Sequence, residues 1–177
     1  MHKEYTLGTF FGLRFSTMPS AVIVTGLMWL GVSVIAMTWL NFSPIEAIVA
    51  AFVAVALHWF SEISHQLGHA FMARRAGYPM HGLRGWGALS TSLYPPDEPT
   101  LPGAIHIRRA IGGPVVSFGF ALCAAIIFVT LDAMNVRGAL WYLALFCVLE
   151  NLLVFCLGAF LPLGFTDGST ILEWWGK

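Results

Sequence analysis

Charge is what this sequence has least of. Of its 177 residues only 10% are Asp, Glu, Lys or Arg, where a soluble domain carries about 25%. Nine basic and nine acidic residues cancel, so there is no electrostatic footprint for a nucleic-acid partner. Cysteine is also scarce. Cys123, Cys147 and Cys156 lie inside apolar runs with no CxxC pair, which excludes a disulfide framework and reads as buried apolar filling. Internal repeats and low-complexity segments are absent. The start shows no short apolar region followed by an Ala-x-Ala site, so no cleaved signal peptide is expected. His2 carries no signal. What the chain does have is apolar residues, 58% of the total, with a mean hydropathy of +0.76. One integral membrane domain is expected.

Spans of about 20 apolar residues cross a bilayer. Four are legible, at about 20–40, 44–75, 110–131 and 138–161. The second opens with Ser43-Pro44-Ile45-Glu46, a capping-box pattern with Pro at the first helical position. Four spans put residues 1–19, the 76–109 loop and the C-terminus on one side. That side holds Lys3, Arg14, Arg74, Arg75, Arg84, Arg108, Arg109 and Lys177; the other holds Arg137 alone. The positive-inside rule then predicts both termini in the cytoplasm, of a prokaryotic plasma membrane. Within the loop, HGLRGWGALSTSLY reads as a short hairpin or edge strand. His81 and His106 read as surface residues there, and Arg108 and Arg109 as headgroup anchors for span three.

Span two carries a polar stripe. Helical residues rotate by about 100° each, so His58, Glu62, His65, Gln66 and His69 share one face of an otherwise apolar helix. Ionisable groups in a span face the protein interior and mark functional sites; an interhelical hydrogen-bond ladder is the plainer alternative. Two imidazoles at i and i+4 suit one metal ion, and zinc takes nitrogen donors with a third protein ligand. Asp167 fits that role. Pro162 and Gly164 break span four just before it, and a broken helix is tolerated where it lines a protein-buried site. The plainer reading makes Asp167 the N-cap of a short helix over 166–175, with Trp174 and Trp175 as interfacial anchors. Glu150, alone in span four, is expected to be neutral or paired.

HQLGHAFMARRAGYP, GGPVVS (Gly112 to Ser117) and LPLGFTDG (Leu161 to Gly168) together resemble the site-2 protease family of intramembrane zinc metalloproteases. The first looks like that family's HExxH helix, the second like its Gly-Pro motif, the third like its Pro-x4-Asp-Gly motif. The resemblance covers about residues 45–175 and implies an all-α membrane protein of four transmembrane helices with a short β-hairpin or irregular cytoplasmic loop. It implies zinc on His65, His69 and Asp167. It places Gly112, Gly113, Pro114 and Ser117 beside a substrate, and the 76–109 loop against an unwound substrate helix. Two positions depart from the pattern. Ala159 stands where Asn is common, and Gln66 where the general-base Glu belongs.

Gln keeps the size of Glu but cannot accept a proton from metal-bound water, a loss worth roughly 10²–10⁴-fold. Three readings of Gln66 stand side by side: an introduced Glu-to-Gln exchange, a substitute base at Glu62 one turn earlier, and a non-proteolytic homologue. The corresponding functions are an intramembrane endopeptidase acting on a transmembrane protein, and a pseudoprotease subunit that packs in a membrane complex. A haem or di-iron protein is a third class. Glu62-Ile63-Ser64-His65 is one ExxH unit, but di-iron bundles need two.

Overall fold

The computed structural model describes residues 3–177; His2 lies outside them. Strands β1 (Tyr5–Phe10) and β2 (Leu13–Thr17) come first, followed by helices α1 (Pro19–Trp39) and α2 (Pro44–Arg75). Strands β3 (Gly82–Trp86) and β4 (Leu89–Leu93) precede α3 (Gly103–Ala133). The fourth span, Ala139–Phe160, is α4 (Ala139–Leu149) continued by a π-helix over Glu150–Leu157 and a 3-10 turn over Gly158–Phe160. A short α5 (Asp167–Trp174) closes the chain.

Four helices are long and apolar enough to cross a membrane, and the chain is built as an integral membrane protein. Val22, Ile23, Leu27, Phe52 and Ile126 are among many large apolar residues exposed on their outer faces, a pattern suited to lipid and not to water. Helix α2 starts as its sequence dictates. Pro44 occupies the first turn, and the Ser43 hydroxyl accepts from the Glu46 amide at 3.4 Å. Arg74 and Arg75 complement the dipole in its last turn.

Packing between spans rests on small residues. A Cβ on Gly68 would lie 2.4 Å from the Gly112 carbonyl oxygen, and one on Gly112 would lie 2.4 Å from the Gly68 carbonyl oxygen. The α2 and α3 backbones therefore touch, as small residues permit inside membranes. The indoles of Trp29 and Trp59 tie α1 to α2 by donating to Ile48 O and Thr25 Oγ1, each at 3.0 Å.

The structure differs from the sequence expectation in three places. Span three begins at Gly103, so His106, Arg108 and Arg109 belong to a helix and not to a loop. His106 stacks on Trp174 at 3.9 Å. Arg109 is buried and no headgroup anchor: it donates to Glu98 at 2.5 and 2.9 Å and to Tyr78 O at 2.6 Å. The third difference lies before span one, where residues read only as a terminal segment form the β1–β2 hairpin.

The sheet runs β1-β2-β3-β4, with β2 parallel to β3 and the other pairs antiparallel. The expected hairpin is thus half of a four-stranded sheet. Leu13, Met80 and Leu83 form its buried underside, packed on Leu67 and Ala70 of α2. The β3–β4 turn reaches far along that helix: Ala88 O accepts from His58 Nε2 at 2.8 Å. His58 precedes Arg75 by 17 residues, about 26 Å of helix, so the hairpin re-enters the depth of the bundle. Backbone of this kind is tolerated there because protein surrounds it.

Candidate metal centre

His65, His69 and Asp167 come together from α2 and α5. One ligand atom from each lies within 4.8 Å of the others. The two Nε2 atoms are 3.0 Å apart; Asp167 Oδ2 is 3.3 Å from His65 and Oδ1 3.4 Å from His69. Both imidazoles are held from behind. His69 Nδ1–H donates to Arg109 O at 2.8 Å, and His65 Nδ1 bonds Ser117 Oγ at 3.0 Å. A carbonyl only accepts, so the His69 proton sits on Nδ1 and its Nε2 lone pair faces the centre.

The space in front of the histidines is kept by Gly113. A Cβ there would lie 2.4 Å from both Nε2 atoms. Asp167 is brought in by the break after α4 and by its neighbour Gly168, whose Cβ would lie 2.1 Å from Phe160 O. The residue in the N-cap position of α5 is Thr166, not Asp167; the Asp167 carboxylate is turned to the histidines. Burial pushes its carboxyl up to about 6, against the pull that His69 exerts when its ring is charged. Two imidazole nitrogens and a carboxylate, converging with their outer atoms anchored, fit a zinc ion with a position left for water.

Two cavities meet at this centre, and Gln66, His69 and Asp167 line both. One, of about 280 Å³, is polar, with Ser92, Glu98 and Arg109 in its wall. The other, of about 430 Å³, is walled by Leu153, Phe155, Ala159 and Leu163. A polar side and an apolar side therefore meet at Gln66, His69 and Asp167.

The remaining singled-out residues are placed as follows. Gly112 and Gly113 make the close approaches described, Ser117 orients His65, and Pro114 is fully buried in α3. Glu62 is buried and accepts from the Ser90 amide and hydroxyl, both at 2.6 Å. Gln66 donates to Ser90 O at 2.9 Å and accepts from Ser92 Oγ at 2.7 Å. Both side chains are thus engaged by β4. Glu150 is paired with His58 Nδ1 at 2.6 Å. Sequence reasoning missed the Ser117, Ser90 and Ser92 contacts, which no local pattern announces.

Four membrane-spanning helices, a small sheet and a His/His/Asp cluster at a broken helix define the class. No family model and no curated protein matches the sequence. Among solved structures the fold is that of the Site-2 Protease from Methanocaldococcus jannaschii, at 19% identity and a TM-score of 0.68, covering 97% of this chain and 70% of that one.

Proposed function

We propose that the chain is a site-2-protease-like intramembrane zinc metalloprotease homologue with little or no peptidase activity. In this reading it holds a transmembrane protein segment or a partner subunit without hydrolysing it. Both termini face the cytoplasm of a prokaryotic cell, as the basic residues suggest. The observation that carries the reading is the convergence of His65, His69 and Asp167 beside a Gln66 that is turned to β4. His65, His69 and Asp167 would hold the zinc, which when bound would polarise a carbonyl and acidify a water. Gln66 accepts no proton. Its carboxamide uses both ends on β4, and the Glu62 carboxylate is engaged with Ser90. Proton transfer then lacks its agent, and the apolar cavity remains as a place to hold a helix.

Metal content per chain tests this first, on protein purified without added zinc. About one zinc per chain, lost in His69→Ala, is expected. The parent should leave a membrane-spanning substrate intact, and Gln66→Glu should gain measurable cleavage. A chain without zinc sinks the metal reading, and cleavage by the parent sinks the inactive one.

A further inference from the structure

Helix α2 presents His58, Glu62 and Gln66 at intervals of four residues. The turn and strand β4 present Ala88, Ser90 and Ser92 at intervals of two. Four helical residues rise about 6.0 Å and two strand residues about 6.8 Å, so the two rows keep step over this length. The hydrogen bonds follow rung by rung. His58 Nε2 donates to Ala88 O at 2.8 Å, the Ser90 amide donates to Glu62 at 2.6 Å, Gln66 Nε2 donates to Ser90 O at 2.9 Å, and Ser92 Oγ donates to Gln66 Oε1 at 2.7 Å.

In an antiparallel ladder the N–H and C=O of one residue point to the same side. Both groups of Ser90 reach α2, so they point away from β3. They are the groups with which an added strand would pair. Position 66 also requires a donor. Its Nε2 faces two atoms that only accept, Ser90 O and, at 3.2 Å, Glu62 Oε1. A carboxylate there would set oxygen against oxygen twice.

We propose that α2 acts as a side-chain fifth strand that caps the free edge of β4. An extended segment of a membrane-spanning partner pairs with that edge only by displacing Glu62 and Gln66. Gln66 is then a positioning residue for β4. The gating half of this proposal rests on the reading that such a segment is the ligand of the site; the capping half stands without it.

Residue-resolved hydrogen exchange in lipid nanodiscs tests the cap. Glu62→Met, which keeps the size and removes the acceptor of the Ser90 amide, should speed exchange of that amide about tenfold, the scale of one lost hydrogen bond to backbone. Ser92→Ala leaves α2 intact but frees the Gln66 carboxamide that holds Glu62 Oε1, and should speed it in the same direction, which covers the case of an α2 variant that fails to fold. A synthetic apolar transmembrane peptide with a central Asn-Pro break and a photoreactive side chain is the probe for the gate. Its crosslinking to β4 should rise severalfold in both variants. Unchanged Ser90 exchange overturns the cap, and faster exchange without more crosslinking overturns the gate. Zinc content of the same samples separates the cap from the metal centre: absence of zinc in the parent would sink the metal reading and leave the exchange result standing.

Discussion

At the scale of single residues, the site depends on atoms behind the three converging side chains. Ser117 Oγ is the partner of His65 Nδ1, and such outer partners fix ring orientation and ligand basicity. Ser117→Ala should therefore weaken zinc binding roughly tenfold, within the usual 10–100-fold range for such partners, as read by competition with a chelator of known affinity. An unchanged zinc affinity would remove Ser117 from the site. His65, His69 and Asp167 were legible in the sequence because helical spacing and membrane depth put them together. Ser117 was visible as part of GGPVVS, but only a neighbouring helix at a known rotation assigns it to a histidine. The contacts of Gln66 were illegible for the same reason, since Ser90 and Ser92 approach it from a strand 24 and 26 residues further on.

At the scale of elements, α2 and α3 form the frame on which the histidines are mounted. Their backbones meet at Gly68 and Gly112, one position from His69 and from Gly113. Gly68→Ala would force the helices apart, and overpacking of this kind costs about 1–3 kcal/mol. A lower unfolding midpoint in detergent, together with weakened zinc binding, is the expected outcome. The apolar spans and the Ser43-Pro44 start of α2 were readable because length and capping are local signals. The hairpin β3–β4 was readable from its Gly-rich turn and short apolar runs. Strand β2 was not. Its pairing with β3 joins Arg14 to Gly82, and no local pattern encodes a contact of that separation. The start of α3 was misplaced because His106, Arg108 and Arg109 suggested an exposed loop. Burial of Arg109 against Glu98 and Tyr94 is what admits them to a helix.

At the scale of the whole molecule, that ion pair ties the segment before α3 to the bundle. The Arg109 guanidinium beside Glu98 holds its carboxyl below the ordinary value of 4.5. A carboxylate with a lowered folded-state pKa contributes stability above its unfolded value and loses it as pH falls through the folded one. Thermal midpoints should therefore hold steady above about pH 5 and fall below about 4.5. Glu98→Gln should show a flatter acid limb. The topology is open to a separate check. Cysteines placed at Asp97 and Arg137 should label from opposite faces of the membrane, with position 97 reached only from the cytoplasm. Labelling of both from one face would overturn the four-span arrangement.

The π-helix over Glu150–Leu157 gives the last span a reserve of length. Each turn there takes up more chain than an α-turn, so the stretch between Glu150, paired with His58, and Asp167, facing the histidines, holds slack that an α-helix would not. Deleting one residue from it would let the regular ladder run on with the rotation beyond it nearly unchanged, whereas the same deletion in a regular α-helix turns everything beyond it by about 100°. The two contacts could then still be satisfied together. A chain shortened by one residue in this segment would keep its helices, its place in the membrane and the approach of Asp167 to the histidines, so this stretch tolerates the loss of a residue where its α-helical neighbours would not.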